Sequence, residues 1–455
     1  MANKSAFLLR PKSSVEQNSA HPRSCCVPWA LKYIQSILRE RGFLVHYYDI
    51  RVKGNSNKEA VSLVKNASPE YIIIHSNSIE YKDCQEIISQ IKAGFAAKII
   101  LVGQYASYVD TKPKDVDFWF KGECEKAVTD FLLGQGQPNQ DEDRMYIVED
   151  LDNLPFPYFA KGELSNYHYP YPIKINKKII WGSMLTSRGC PHNCLFCTQV
   201  LRESYGKKFR SRSAENVLSE MKHLVGLGAN VISFEDDSFT VSSRHVNDVC
   251  DKIISGGLKV RWICQARIDE VDFELLKKMR DAGCVLIRFG VESGSAKVIE
   301  VLGKAKCGDE WLERAKKVFC WTHQLRIPTD ALFMMGAPSE TIEEVKASIK
   351  LARKLKPDIM QVSFFTLYHG SIAYDRFKDK INLSASEENY HYEKISSNLS
   401  AIDSEELIGL QKVFYRAVLF RPAFLLKHLF GYLPYYLTNR GSLKLIMNFC
   451  KFLSK

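Results

Sequence analysis

The chain has 455 residues, with 63 Lys and Arg against 52 Asp and Glu, a formal net charge of +11. Hydrophobic residues make up 45% and charged residues 25%, the balance of a globular protein. That excludes a disordered chain, a collagen and a polytopic membrane protein, and the length suggests two to four domains at about 100–200 residues each.

The excess charge is local. Residues 411–455 hold eight Lys or Arg and no acid, which leaves 55 basic against 52 acidic residues elsewhere. The body is near neutral and no nucleic-acid partner is expected; only the C-terminal region has a basic surface to explain. Thirteen cysteines without regular spacing indicate reduced thiols and a cytoplasmic setting. The opening MANKSAFLLRPKSS has a four-residue apolar run, too short for a signal peptide. No charge-free apolar stretch reaches the about 18 residues of a transmembrane helix.

The first third alternates strand and helix signals. Apolar runs at 6–9, 43–47, 71–75, 98–102 and 116–120 predict five strands. Helices are predicted from Pro28 to Gly42, over 83–93 and over 123–133. Continuous apolar strands with amphipathic helices between them predict a parallel sheet covered on both faces. Residues 1–140 are therefore expected to form a Rossmann-like, doubly wound domain. A connector over 141–179 follows, carrying the proline-fixed LDNLPFP at 151–157. From 180 to 375 six strands are predicted at 180–186, 230–234, 260–264, 285–290, 329–334 and 359–364. Helices between them fall at 213–227, 242–255, 271–282, 309–323 and 340–355. This is the βα order of a (β/α)6 partial TIM barrel, whose chemistry belongs at the strand C-termini. Residues 376–455 read as a helical, basic C-terminal region, so the whole is an α/β protein with a helical tail.

The loop after the first barrel strand reads SRGCPHNCLFCT (187–198). Cys190, Cys194 and Cys197 are spaced C-x3-C-x2-C, and three thiolates on one short loop can hold three irons of a [4Fe–4S] cluster. The fourth iron is left open for a ligand. A zinc site would want a fourth nearby ligand, and His192 is badly placed to supply it. An electron-transfer cluster would want four cysteines.

The loop, with Phe196 before its last cysteine, resembles the radical SAM superfamily. The resemblance implies that the open iron binds S-adenosylmethionine (SAM), whose reductive cleavage yields a 5′-deoxyadenosyl radical. The other strand ends then supply cofactor contacts. Glu235 and Asp236 in FEDDSFT suit the SAM ammonium. Arg267 could clamp its carboxylate or pair with a neighbouring acid. Glu292 could bind ribose or the amino group, and Gly336 and Pro338 would let backbone approach the adenine.

The pieces VPWALKYIQSILRERGFLVHYYD (27–49), PEYIIIHSNS (69–78), KIILVGQYAS (98–107), VDFWFKGECEKAV (116–128) and DNLPFP (152–157) narrow this to the cobalamin-binding radical SAM group of class B methyltransferases. The resemblance implies cobalamin-dependent methyl transfer to an unactivated carbon of a small-molecule or lipid-like substrate, with flavodoxin or ferredoxin as electron donor. The chain departs from the group in lacking D-x-H-x-x-G, and Gln104 and Tyr105 stand where a corrin would pass. A cobalamin-independent cyclase, coupling or oxidation enzyme of the same family is therefore kept as an alternative. So is a tRNA methylthiotransferase, for which Cys25, Cys26, Cys84 and Cys124 are available. A non-catalytic cluster- or metal-binding protein is the alternative from another class. Arg202, Tyr205 and His369 receive no role.

The tail alternates Arg416, Arg421, Lys427, Arg440 and Lys444 with Phe414, Phe420, Phe424, Leu425, Leu429, Tyr432 and Tyr435. A helical cap over the barrel with snorkelling cations is the first reading. A peripheral contact with the inner membrane surface is the second.

Overall fold

The computed structural model describes residues 4–13, 25–54, 56–77, 79–109, 112–138, 145–197, 208–380 and 395–439. Arg202, Tyr205, Arg440 and Lys444 lie outside them. The described chain divides into two compact units, residues 4–13, 25–167 and 208–210 in one and residues 168–197 and 211–439 in the other.

In the first unit five parallel strands alternate with helices: β1 (Ser5–Arg10), α1 (Trp29–Glu40), β2 (Leu44–Asp49), α2 (Asn57–Ala67), β3 (Tyr71–His75), α3 (Tyr81–Lys92), β4 (Lys98–Val102), α4 (Gln104–Tyr108), β5 (Phe118–Trp119) and α5 (Glu125–Leu132). The strand order is β2-β1-β3-β4-β5. All five predicted strands are present. Period-2 alternation divides their side chains between two cores. Phe7, Leu9, Ile72, Ile74, Ile99 and Leu101 face one side. Ala6, Leu8, Ile73, Ile100 and Val102 face the other. Helix α2 was not among the predicted elements, although Ser56 and Glu59 form the capping box that announces it.

In the second unit the six barrel strands are β6 (Trp181–Met184), β7 (Val231–Phe234), β8 (Arg261–Ala266), β9 (Cys284–Glu292), β10 (Thr329–Met335) and β11 (Ile359–Phe364). They pair in sequential order, all parallel. The intervening helices are α6 (Ala214–Gly226), α7 (Ser243–Ser255), α8 (Phe273–Asp281), α9 (Ala296–Val301), α10 (Gly308–Gln324) and α11 (Ile342–Leu355). The six strands and five of these helices agree with expectation; α9 was not foreseen. Short α12 (Ile372–Phe377) and the C-terminal α13 (Ser404–Leu419), α14 (Pro422–Leu426) and α15 (Leu433–Thr438) complete the unit.

An open barrel leaves a strand edge to be satisfied. Helix α13 does this at β11: Tyr415 Oη accepts from Val362 N at 2.9 Å, and Gln411 Nε2 donates to Val362 O at 2.8 Å. Phe414, Tyr415 and Val418 are buried beneath it, as the cap reading expects. The segment beyond α13 is divided: Tyr432 and Tyr435 are buried, with Tyr432 Oη 3.3 Å from Asp358 Oδ1, while its leucines and Phe430 turn outward. Leu425, Leu426, Leu429, Phe430, Leu433 and Leu437 are exposed, Phe430 to 74%.

Candidate functional site

The cysteine loop leaves β6 and is held on three sides. Asp236, buried just past β7, accepts from Thr186 N at 2.7 Å and Ser187 N at 2.6 Å through one oxygen. Its other oxygen meets Thr186 Oγ1 at 2.8 Å. Leu195 N donates to Leu302 O at 2.8 Å, and Ala373 N donates to Leu195 O at 3.0 Å, so strapping from α9 and α12 holds the loop centre. At Gly303 (φ +62°) a side chain would stand 3.0 Å from Asn193 O, so only glycine lets that turn close on the loop.

Cys194 is buried, and Cys190 and Cys197 are partly exposed. Burial, the neighbouring thiols and Asp237 push the Cys190 thiol up to about 11 and the Cys197 thiol to about 12. The three are therefore mutual neighbours. No three His, Cys, Asp or Glu side chains among the described residues gather closely enough to hold one metal ion. A cuboidal cluster meets each thiolate at a different iron, so this donor set and spacing fit it. His192 turns away, its Nε2 lying 2.6 Å from Glu270 Oε1. Glu270 also accepts from Ser238 and Thr240, each at 2.7 Å.

Two buried cations back the loop. Arg267 follows β8 directly and places Nη1 3.5 Å from Cys194 Sγ. Its fork grips Asp269 through Nε at 3.0 Å and Nη2 at 2.9 Å, and Nη2 also donates to Lys304 O at 2.8 Å. Lys304 is paired with Glu292 at 2.8 Å and lies 5.9 Å from the centre of the Phe196 ring. The indole of Trp311 flanks both cations, at 5.3 Å from Arg267 and 5.5 Å from Lys304. Phe196 packs beside Leu195, Leu302 and Phe365.

These contacts revise several expected roles. Both oxygens of Asp236 are engaged by the loop backbone and hydroxyl, so it positions the cysteines and presents no open face to a SAM ammonium. The fork of Arg267 grips Asp269, two residues along, the second of the two kinds of partner expected for it. Glu292 sits at a register shift between β9 and β10 with φ +68°. The bulge re-aims its carboxylate at Lys304. Glu235 turns into the barrel and accepts from Ser233 Oγ. Gly336 (φ +82°) and the turn through Pro338 are clasped by Glu340, which accepts from Gly336 N at 2.6 Å and Ala337 N at 3.2 Å. A Cβ at Gly336 would meet Leu407 on α13 at 3.0 Å, so the glycine serves packing there. The sequence reading missed Lys304, Trp311 and Glu270, because each lies about 70 to 110 residues beyond the cysteines and in no motif.

Lys304 is buried and interacts electrostatically with the Cys194 thiol, and a buried cation beside a redox group favours its more negative, reduced form. Lys304→Met is therefore expected to lower the cluster's reduction potential by tens of millivolts. Redox titration followed by electron paramagnetic resonance (EPR) checks this; an unchanged potential would place Lys304 too far away to act.

Residues 184–370 match the radical SAM superfamily model. An uncharacterised methyltransferase from Pyrococcus horikoshii is 27% identical over 317 residues, covering 69% of this chain and 66% of the relative. The anaerobic magnesium-protoporphyrin IX monomethyl ester cyclase of Rubrivivax gelatinosus is 26% identical over 283 residues, covering 61% and 48%. The chain thus spans about half to two thirds of the length of these relatives. Its fold matches the radical SAM methyltransferase TsrM from Kitasatospora setae, solved with cobalamin and a [4Fe–4S] cluster, at a TM-score of 0.66 and 16% identity over 83% of this chain and 75% of that one. With its three-cysteine loop held at the end of the first strand of a six-stranded parallel barrel, the segment 184–370 carries a radical SAM domain, and that domain implies a [4Fe–4S] cluster and SAM.

Proposed function

We propose that this protein is a cobalamin-dependent radical SAM enzyme transferring a methyl group to an unactivated carbon of a small molecule. The observation that carries the reading is the loop of Cys190, Cys194 and Cys197, clasped by Asp236 and backed by Arg267 and Lys304. When bound, the cluster and SAM supply a carbon-centred radical, and cobalamin supplies the methyl group. The chain's own residues hold the three thiols in register, keep two cations against them and line the barrel interior. An external one-electron donor of the flavodoxin or ferredoxin class serves as reductant.

We assign cobalamin to the carboxyl ends of β3 and β4, next to the switch point between β1 and β3 where doubly wound folds ordinarily take their ligands. Those ends carry Ser76, Gly103, Gln104 and Tyr105. The Tyr105 ring stacks on Tyr81 at 3.5 Å and lies flat against α3. An aromatic and amide surface beside a glycine turn fits a flat macrocycle resting across the strand ends. The slot between β1 and β3 is filled by the chain itself: Glu80 is fully buried and bonded by Arg10 and Arg51, each at 3.0 Å.

The methylthiotransferase alternative needs further cysteine ligands from the first unit. Cys84 and Cys124 are buried in the cores on opposite faces of the sheet, so they cannot share a cluster. Cys25 is buried too, and its thiol is pushed up to about 12.

Anaerobic reconstitution tests the proposal. Near four irons per chain, an EPR change on adding SAM and close to one corrinoid per chain are expected. A SAM-responsive cluster without corrinoid would turn the search to cyclisation, coupling or oxidation.

A second reading concerns the tail. Among the described residues no helix is long and apolar enough to cross a membrane. The exposed leucines and Phe430 beyond α13, in a segment free of acids, suit an interfacial contact with anionic lipid. Flotation with phosphatidylglycerol vesicles is expected at low salt and lost at high salt. Protein remaining at the bottom of the low-salt gradient would rule this contact out.

A further inference from the structure

Barrel interiors are ordinarily filled by bulky branched side chains. The outer face of this barrel is identified by its helix contacts. Phe289 meets Phe319 of α10, Phe333 meets Phe414 of α13, and Phe234 stacks on Trp262 beside Phe239, which meets His245 of α7. A side chain at Gly182 would run into Leu224 of α6. Alternation then sends Ser183, Ser233, Glu235, Gln265, Arg288 and Asp330 inward, together with the apolar Ile263, Leu286 and Leu332. The polar members lie side by side on adjacent strands, where apolar filling is the rule.

The row is also organised. Arg288 and Asp330 are register partners on β9 and β10, with Nε 3.0 Å from Oδ2. The guanidinium of Arg288 lies 4.5 Å from the centre of the Tyr171 ring. Tyr169 Oη is 2.9 Å from Ser183 Oγ, and Ser233 Oγ donates to Glu235. Asp330 is 1% exposed, yet its second oxygen, Oδ1, has no hydrogen-bond partner. A buried acceptor left without a donor costs about 1–3 kcal/mol. A bound group that donates to it would remove that cost. Burial pushes the Glu235 and Asp330 carboxyls up, so an arriving donor also relieves them.

We infer that Asp330, Arg288 and Glu235 form the floor of a substrate subsite that takes a hydrogen-bond-donating head group, an amine or a hydroxyl, and disfavours a carboxylate or phosphate. The inference rests on the radical SAM reading, because it takes the barrel interior as the substrate site. Arg288 and Asp330 lie three ladder steps before the Glu292–Phe333 pair of β9 and β10, a depth of about 10 Å at about 3.3 Å per residue. Glu292 pairs with Lys304, whose carbonyl accepts from Arg267, and Arg267 touches Cys194 of the loop. A substrate held by its head at the floor therefore presents to the cluster an atom remote from that head. The substrate class is an elongated molecule with a donor at one end and its reacting carbon about 10 Å or more away.

The test uses the reconstituted full chain with SAM and three matched probes: 4-phenylbutylamine, 4-phenylbutan-1-ol and 4-phenylbutanoic acid. Binding is read by saturation-transfer NMR and calorimetry. The amine and alcohol are expected to bind, with the acid weaker by about tenfold or more, the equivalent of ~1.4 kcal/mol. Asp330→Asn is expected to weaken the amine by a similar factor while iron content and the SAM-induced EPR change persist. An acid that binds as well as the amine, an Asp330→Asn variant that leaves amine affinity unchanged, or no binding of any probe at millimolar concentration would each overturn the subsite. If Asp330→Asn does not fold, the wild-type amine-to-acid ratio decides alone. An EPR spectrum insensitive to SAM overturns the radical SAM reading instead, and does so independently of the probe ratio.

Discussion

Cys194→Ala is expected to abolish cluster assembly, with iron falling from near four per chain to a trace and reductive SAM cleavage falling by on the order of 10³-fold or more. Three ligands are the minimum for a site-differentiated cluster. Cys194 is the most enclosed of the three and the one touched by Arg267. Its loss leaves two thiols, too few to hold the cluster, and removes the group that Arg267 touches. Cys190→Ala and Cys197→Ala should behave alike. Cys320→Ser, at an exposed thiol outside the loop, is the control and should keep full iron. Iron and sulfide analysis with visible spectra checks the series. A Cys194→Ala protein that retained a SAM-responsive cluster would refute the ligand assignment.

Asp236→Ala is expected to destabilise the barrel unit by about 2–4 kcal/mol, because Thr186 N and Ser187 N lose their common buried acceptor. For a unit of this size that is a fall in Tm of roughly 5–12 °C. Asp236→Asn should cost far less. Burial raises the Asp236 carboxyl from 3.8 to about 7, so the protonated form is favoured, and asparagine imitates it. Its oxygen can accept from both amides while its NH2 donates to Thr186 Oγ1. The hydroxyl of Thr186 lies 2.9 Å from His245 Nε2, and burial lowers His245 to about 4.

The pH dependence follows with a definite sign. A carboxyl raised in the folded state binds its proton more tightly there than in the unfolded chain, so stability falls as pH rises from about 4 to about 7. Glu340, raised to about 7 by burial beneath the turn at Gly336, acts in the same direction. His245, lowered by burial, acts in the opposite one, gaining stability between about 4 and 6.5. The difference between wild type and Asp236→Asn isolates the Asp236 share: the variant should be less sensitive to alkali over that window. Thermal melts at pH 5 and pH 7.5 measure it. Equal shifts in both proteins would mean that Asp236 is ionised throughout.

The order of strands and helices was legible in the sequence because parallel strands buried on both faces are continuous apolar runs. YIII at 71–74 and KIILV at 98–102 have no other reading between helical periods. The cysteine loop was legible because its ligands are adjacent in the chain and their spacing alone sets the chemistry. Helix α2 was overlooked for lack of a strong apolar stripe, despite the Ser56 and Glu59 cap.

What only the tertiary structure decided is how charged side chains are shared out. Asp236, Arg267 and Glu292 were each legible as strand-end residues, and each could have faced a ligand. Folding gives them partners at Thr186, Asp269 and Lys304, because a buried charge without a partner costs more than any single contact returns. Lys304 and Trp311 reach the cysteine loop through chain turns that no local pattern records. The polar floor at Arg288 and Asp330 depends on two residues 42 positions apart coming into register. Sequence alone determined the strands, most of the helices and the three-cysteine loop proposed to hold the cluster. Which carboxylates clasp the loop, which cations back it and which polar groups turn into the barrel were decided by packing, since all three depend on contacts between strands distant in the chain.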